Sequence, residues 1–187
     1  PMYKGLVTDN IILRKRIEEV GELPVEMARR YGATGPVLRG SGVAYDTRRA
    51  EPYSIYDRFD FEVPVEETTC SMGRYMVRMR EIEESLRIVE QAIEQLPGAE
   101  GKHIAKGAPK PQAKMPAGEV YFATEGARGK VGIWIVSDGS KVPYRVKCRA
   151  PGFSNLSLFA ELAKGTLLPD AVAIMGSLDM VIPEIDR

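Results

Sequence analysis

One segment constrains the fold more than any other, because its apolar residues follow a helical period over about seven turns. The segment reads SMGRYMVRMREIEESLRIVEQAIEQLPG, and its apolar side chains recur at spacings of three and four, at Met72, Tyr75, Met79, Ile82, Leu86, Val89, Ile93 and Leu96. This period predicts one long helix with a single apolar stripe, ended by Pro97 and Gly98. Such a stripe is typical of a bundle, so we expect other helices to pack along it.

The segments before this helix predict helices followed by a long ordered loop. Residues 5–20 have helical composition, and ELPVEMARRYG predicts a second helix that starts at Pro24 and ends before Gly32. Glycine and proline interrupt residues 32–67, but five aromatic residues between Tyr45 and Phe61 argue against a disordered linker. We expect an ordered loop there, with one short strand near residues 59–63.

The segments after the long helix predict a small sheet and further helices. Three runs rich in β-branched and aromatic residues predict a three-stranded antiparallel meander: GEVYFATEG, KVGIWIVSDGS and VPYRVKCRAPG. FSNLSLFAELAKG and LLPDAVAIMGS predict two helices. The tail IMGSLDMVIPEIDR is unusually apolar for a terminus, so we expect it to be inserted in the core with Asp179 among apolar neighbours.

Together these elements predict an α+β fold with segregated helices and strands. We expect three regions. Residues 1–97 form a helical region with the long loop and the long helix, and residues 98–117 form a flexible linker rich in Pro, Gly and Lys. Residues 118–187 form the meander, the short helices and the inserted tail.

Charge and cysteine content exclude several classes of protein. The chain has 26 basic and 26 acidic residues, and a net charge of zero argues against a nucleic-acid-binding protein. Its two cysteines, Cys70 and Cys148, form no CxxC motif, so we expect two buried thiols in a reduced compartment. No stretch approaches the ~18–20 apolar residues of a membrane-spanning helix.

The residues that could perform chemistry are few. The sequence contains no phosphate-binding glycine loop, no HExxH and no GxSxG, and its one histidine, His103, lies in the predicted linker. A Cys/His metal site is therefore excluded, and we expect no catalytic residue and no bound metal in this chain.

Three local features remain of interest. Arg128 lies between two predicted strands, as a solvated turn arginine or a functional one. The loop YGATGPVLRGSG suits close backbone approach. Asp179 is either exposed on the tail or buried, and a buried carboxylate needs a partner.

Four blocks occur in an order that resembles one family. They are GATGPVLRGSGVAYDTRRAEPYSIYDRFDFEVP, RYMVRMREIEESLRIVEQ, PAGEVYFATEGARGKVGIWIVSDGSKVPYRVKCRAPGF and GSLDMVIPEIDR. From residue 10 to 187 the chain is similar to the C-terminal half of the hydrogenase-like large peripheral subunit of complex I, the proton-pumping NADH:quinone oxidoreductase. The resemblance implies a fold like that of the large subunit of nickel–iron hydrogenases.

The resemblance also implies which residues to examine. Hydrogenases end in a segment like S-F-D-P-C-x-x-C-x-x-H, and here Val181 and Glu184 stand where its two cysteines would, after Asp179. Valine cannot ligate a metal, so the nickel–iron site is lost and the cavity is expected to be a quinone chamber. Arg128 stands where hydrogenases carry an arginine beside the metal, in an EGARG sequence that lacks the family's usual proline. The chamber candidates are Arg128, Asp179, Val181 and Glu184.

The function implied is a part of the quinone-binding and electron-transfer module of complex I. The family's quinone-binding histidine and tyrosine belong to the N-terminal half, so no catalytic residue is expected here. The resemblance implies no cofactor on this chain, quinone as substrate, and a terminal iron–sulfur cluster held by a neighbouring subunit. Its partners would be that subunit and a membrane-arm subunit, with the chain peripheral on the cytoplasmic side of a bacterial membrane. Two alternatives are a hydrogenase-type large subunit without its metal ligands and a purely structural interaction module.

Overall fold

The computed structural model describes residues 4–96 and 114–186, and helix α5, Ser71–Gln95, runs through it as the predicted long helix. Its first half is covered, with Arg74 and Val77 fully buried. The apolar stripe of its second half is more than half exposed at each position, namely Ile82, Leu86, Val89, Ile93 and Leu96. The expectation that helices pack along the whole stripe is therefore wrong for the second half in the described part of the chain.

The segments before α5 form short helices. A π-helical turn spans Lys4–Thr8, and α1 spans Ile11–Ile17. The Asn10 carboxamide oxygen caps α1 by accepting hydrogen bonds from the backbone N–H groups of Ile12 and Leu13. Helix α2, Val25–Arg30, begins after Pro24 and ends before Gly32, as predicted. The predicted helix over 5–20 is thus divided in two.

The long loop contains helical turns and no strand. Helices α3, Pro36–Arg39, and α4, Thr47–Ala50, are followed by a 3₁₀ turn at Tyr56–Arg58. The strand expected near residues 59–63 is wrong because side chains of α5 bind this backbone instead. The N–H groups of Asp60 and Glu62 donate to Gln91 and Glu84 of α5, both at 2.8 Å.

The predicted meander is confirmed. Strands β1, Gly118–Gly126, β2, Gly129–Ser137, and β3, Arg145–Arg149, form one antiparallel sheet in the order β1-β2-β3. The register pairs Trp134 with Tyr121 on one side and Lys147 on the other. These three side chains therefore share one face of the sheet.

The C-terminal segment contains four helices, α6 (Pro151–Ser157), α7 (Phe159–Leu162), α8 (Leu168–Leu178) and α9 (Ile182–Ile185). Pro151 occupies the first turn of α6, where its missing N–H costs nothing. The single helix predicted after Gly152 is therefore two short helices that start earlier. Helix α8 confirms the last predicted helix.

The core joins segments from before and after the long helix. Its buried residues are Leu23, Ala28, Ala33, Val37, Leu38, Leu158, Leu162, Ile174 and Leu178. The tail is inserted in this core only as far as Leu178. The chain then turns at Asp179 and the following residues lie on the surface of the core, where Ile182 is 70% exposed and Glu184 is half-buried.

The two cysteines differ in exposure. Cys70 is buried, but Cys148, on the outer strand β3, is exposed, so the expectation of two buried thiols is wrong for Cys148. His103 and most of the expected linker 98–117 lie outside the described residues. Within the described ranges, no helix combines the length and apolar character needed to cross a bilayer.

Candidate functional site

The turn between β1 and β2 carries Arg128 and is pressed against the glycine-rich loop. Gly35 has a φ of +64°, and a Cβ there would overlap the carbonyl group of Arg128. A Cβ on Gly129 would lie 2.6 Å from the backbone nitrogen of Gly35. The close backbone approach predicted for YGATGPVLRGSG is therefore made to this hairpin turn.

Asn155 of α6 locks the two backbones together. Its side-chain oxygen accepts from the Thr34 N–H at 3.1 Å, and its nitrogen donates to the carbonyls of Thr34 and Arg128, each at 3.3 Å. The Thr34 hydroxyl accepts from the Lys130 N–H at 2.9 Å. Asn155 is 1% exposed, so this clamp is shielded from water and fixes the position of Arg128.

Arg128 and Asp179 form a pair, although 51 residues separate them in the sequence. The Arg128 Nε donates to the Asp179 carbonyl at 3.0 Å and lies 3.3 Å from its Oδ2. Asp179 ends α8 with a left-handed backbone, φ 54°, so its carbonyl and its carboxylate both face the guanidinium. A cation at a helix C-terminus is favourable. The side chains are about one-third exposed (31% and 38%), so the pair stands at the edge of solvent.

A cleft of about 410 Å³ opens beside this pair. Its apolar wall is formed by Ile82, Leu86 and Val89 of the exposed α5 stripe, and its polar side chains come from α5 and from the end of α8. The lining residues are Arg78, Glu81, Ile82, Ser85, Leu86, Val89, Ala127 and Asp179. An apolar cavity with a few convergent polar groups is the usual form of a small-molecule site.

Two half-buried charged residues of α5, Arg78 and Glu81, line this cleft. Burial lowers the pKa of Arg78, although the negative charges of Asp179 and Glu81 oppose that effect. Burial raises the pKa of Glu81, although the positive charge of Arg39 opposes it. Glu81 therefore binds a proton more readily than a carboxylate in water does. Neither residue was singled out from the sequence, because only the fold turns them toward Asp179.

Arg39 connects the cleft to the sheet. Its guanidinium donates to Glu81 Oε1 at 2.7 Å and to Glu125 Oε1 at 2.9 Å, and it is 1% exposed. The other oxygen of Glu125 accepts from the backbone N–H and the hydroxyl of Thr47, at 3.1 and 2.8 Å. A buried arginine with two hydrogen-bonded carboxylate partners fixes α3, α5 and β1 relative to one another. The sequence offered one signal for a role of Arg39, because it is the one charged residue in the segment YGATGPVLRGSG.

Arg74 holds α5 against α8 from within the core. It is fully buried, and burial lowers its pKa to about 10. Its guanidinium donates to the Ser177 hydroxyl at 3.0 Å and to the Gly21 carbonyl at 2.9 Å. Because Ser177 lies two residues before Asp179, this contact helps to set where α8 ends.

Val181 and Glu184 line a second cleft, separate from the first. This cleft has a volume of about 450 Å³, and its lining residues are Val131, Ile133, Cys148, Arg149, Ala150, Val181, Pro183 and Glu184. One carboxylate oxygen of Glu184 is buried without a hydrogen-bond partner in the described structure and lies against Gly152. The four predicted residues therefore fall into two pairs: Arg128 with Asp179, and Val181 with Glu184.

The described ranges offer little to a metal ion. No group of three or more His, Cys, Asp or Glu side chains within residues 4–96 and 114–186 is arranged to hold one. The arginines and carboxylates that line or border the first cleft can bind and orient a ligand and exchange protons with it.

Comparison with known proteins gives a consistent result. The whole chain, residues 1–187, matches the family model described as respiratory-chain NADH dehydrogenase, 49 Kd subunit. It is 55% identical over 185 residues to the D-type subunit of NADH-quinone oxidoreductase from Desulfotalea psychrophila, covering 99% of this chain and 49% of that protein. It is 53% identical to a D-type subunit of the same enzyme from Opitutus terrae, covering 100% of this chain and 46% of the relative.

The chain thus spans about half the length of the curated relatives it matches. The resemblance noted in its four sequence blocks is confirmed, and the described residues carry an α+β fold with one long helix and a three-stranded sheet. The chain belongs to the family of the 49 kDa subunit of the respiratory-chain NADH dehydrogenase.

Proposed function

We propose that this chain forms one wall of the quinone chamber in a proton-translocating NADH:quinone oxidoreductase. The observation that carries the proposal is the Arg128–Asp179 pair at the edge of an apolar cleft of about 410 Å³. A quinone ring needs an apolar surface, and its two oxygens need a few hydrogen-bonding groups. The relatives named above carry NADH-quinone oxidoreductase in their names, which supports the same assignment.

In the proposal, the apolar residues of the cleft pack against the quinone ring, and its carboxyl groups exchange protons with the quinone. Ile82, Leu86 and Val89 offer the ring an apolar surface, while Asp179 faces its oxygens. Reduction of a quinone to a quinol takes two electrons and two protons. Glu81, whose pKa burial raises, and Asp179 are the carboxyl groups placed to exchange those protons.

Val181 and Glu184 belong to the same proposal as a neighbouring wall. They follow Asp179 by two and five residues, but they line the second cleft, beside β2 and β3. We propose that they border the chamber where the tail leaves the core.

The electrons would come from outside this chain. In the proposal, a neighbouring subunit holds the terminal iron–sulfur cluster beside the chamber, and a membrane-arm subunit forms the entry for quinone. The chain itself binds no cofactor and lies on the membrane surface at the cytoplasmic side. It contributes the chamber wall and is inactive alone.

Replacement of Asp179 by Asn in the assembled enzyme tests the proposal. We expect quinone reduction to fall at least about tenfold, because a proton-exchanging carboxyl group and half of the arginine pair are lost. NADH oxidation with a hydrophilic acceptor that takes electrons upstream should be unchanged. Asp60→Asn is the matched control, because its side chain is 95% exposed.

Comparing quinone reduction with electron transfer to the upstream acceptor distinguishes the proposal from the two alternatives. Equal losses with quinone and with the upstream acceptor would make Asp179 a structural residue and would contradict the proposal. Unchanged quinone reduction in the Asp179→Asn enzyme would contradict it as well. Nickel in the purified enzyme would favour the hydrogenase-type alternative instead.

A further inference from the structure

Strand β3 is an edge strand of the described sheet. It pairs with β2 only, and no strand lies on its other side in the described part of the chain. Its residues are exposed from Arg145 to Cys148 and half-buried at Arg149. An exposed edge presents unpaired N–H and C=O groups, which are a template for another strand.

One face of this edge is strongly basic. Arg145, Lys147 and Arg149 alternate along β3 and therefore point to the same side of the sheet. They line a groove of about 640 Å³, whose remaining lining residues are Tyr121, Gly132 and Trp134. Among the residues that the structure describes, no acidic one lines this groove, in a chain whose net charge is zero.

These three cations have no carboxylate partner among the described residues. Arg145 stacks over the Trp134 ring, with 5.4 Å between the guanidinium carbon and the ring centroid. Arg149 donates to the backbone carbonyls of Lys130 and Gly32. Lys147 is exposed on the strand between them. The positive charge of the groove is thus uncompensated within the described chain.

The opposite face of the same edge is apolar. Val146 is 50% exposed and Ile133, on the neighbouring strand, is 43% exposed, while Cys148 is a free, exposed thiol. Lysine on an edge strand commonly protects it from pairing. Here the protection covers one face only, since Val146 on the apolar face is exposed and the basic face repels basic strands but attracts acidic ones.

We propose that β3 binds an acidic strand of a neighbouring polypeptide, whose residues alternate between Asp or Glu and apolar side chains. Alternate residues of two paired strands have the same spacing of roughly 6.6–6.8 Å, so each acid would stand opposite one cation. The apolar residues between them would cover Val146 and Ile133. Strand addition to an exposed edge supplies main-chain hydrogen bonds as well. This surface is separate from the Arg128–Asp179 cleft, although Ile133 and Cys148 on its apolar face also line the second cleft, beside Val181 and Glu184. The inference rests on the strand edge and its charges and not on the proposed function.

The first test couples amines to carboxylates in the purified, assembled wild-type enzyme. A water-soluble carbodiimide joins a lysine amine to a carboxylate in contact with it, forming an amide with loss of water. We expect peptide mass spectrometry to find Lys147 joined to Asp or Glu of another polypeptide, within an alternating acidic and apolar segment. Lys147 joined to no other polypeptide would overturn the inference, and so would a link to a segment without this alternation.

The second test uses the thiol on the apolar face as a reporter. We expect maleimide to label Cys148 slowly in the assembled enzyme, because the added strand covers it. The double variant Arg145→Glu/Lys147→Glu should repel that strand and raise the labelling rate at least about tenfold, whereas Lys141→Glu, on the β2–β3 connection, should not. Arg149 is left unchanged because it binds backbone carbonyls. Equal labelling rates in the wild type and the double variant would overturn the inference.

Discussion

Asp179 combines a backbone role with a side-chain role, and substitutions can separate the two. Its φ of 54° favours Asn or Gly over other replacements, because a left-handed backbone costs most residues roughly 1–2 kcal/mol. Asn at this position therefore keeps the end of α8 intact and removes only the charge. The loss of quinone reduction expected for Asp179→Asn would therefore come from the missing carboxylate and its broken pair with Arg128, and not from a change in the backbone.

The pairing of Arg128 with Asp179 leads to a prediction about coupling. We expect Arg128→Met and Asp179→Asn each to lower quinone reduction about tenfold, and the double variant to be no worse than either one. The reason is that each single change already breaks the same pair, and residues in direct contact do not act additively. Steady-state rates of the assembled enzyme measure this. A double variant about a hundredfold slower would show that the two residues act independently.

Asp46 leads to a prediction about pH. Burial raises the pKa of its carboxyl group, but the hydrogen bonds and charge of Arg48 and the charge of Arg39 outweigh burial and hold the pKa below 3.8. A lowered folded-state pKa adds stability above pH 3.8 that is lost as the pH falls through the folded-state value.

Asp46→Asn should therefore lower the free energy of unfolding of the full-length chain by about 1–3 kcal/mol at pH 7. The difference from the wild type should shrink as the pH falls below 3.8. Denaturant titrations at several pH values measure it, with Asp60→Asn as the control. A difference that stays constant over the whole range would show that the charge of Asp46 does not stabilise the fold.

Among the secondary-structure elements, helix α5 is buried in its first half and exposed along the apolar stripe of its second half. Its first half is fixed in the core through Arg74 and Val77, while its second half presents apolar side chains to the cleft. The apolar spacings of three and four residues predicted the length and the stripe of this helix, since both follow from local periodicity. It could not predict which half is covered, because that depends on the elements packed around the helix.

The cleft wall on α5 predicts the effect of filling it. We expect Leu86→Trp to lower quinone reduction at least about tenfold and to reduce sensitivity to inhibitors of the quinone site, because the indole would occupy the cleft. Gln95→Trp, on the opposite side of the same helix and exposed, should leave both unchanged. Rates and inhibition curves of the assembled enzymes measure this. Equal behaviour of the two variants would remove Leu86 from the chamber.

The loop before α5 shows why one element was mispredicted. Residues 59–63 have the composition of a strand, and alternation of Phe59 and Phe61 with acidic residues supports that interpretation. In the structure, both phenylalanines are buried, and Arg49 stacks on Phe61 at 4.1 Å. Side chains of α5 take the place of a partner strand. Such long-range side-chain to backbone bonds leave no periodic signal in a sequence.

At the scale of the whole molecule, the sequence predicted the α+β class and the meander from local patterns. The four site candidates came from the resemblance, but their grouping did not. Asp179 and Val181 are two residues apart, yet they face different clefts, because the left-handed turn at Asp179 redirects the chain. Arg39, Arg78 and Glu81 were missed. A charged residue on a helix is usually solvated, and only packing reveals that Arg39 is buried and that the other two are half-buried.

The exposed apolar surfaces also belong to this scale. The second half of α5 and the apolar face of β3 are open in a chain that spans about half the length of its relatives. Large exposed apolar patches usually mark surfaces of interaction. We interpret the first as the chamber wall and the second as part of a strand-binding edge.

We propose that quinone binds between α5 and the Arg128–Asp179 pair, and photolabelling can locate it there. A quinone analogue with a photoreactive group on its ring would be bound to the assembled enzyme, irradiated, and located by peptide mass spectrometry. We predict labels on the residues that line the first cleft, Ile82, Ser85, Leu86, Val89 and Ala127, and their loss when excess quinone competes. Labels confined to the second cleft, around Val181 and Glu184, or no competed label on this chain, would contradict the claim.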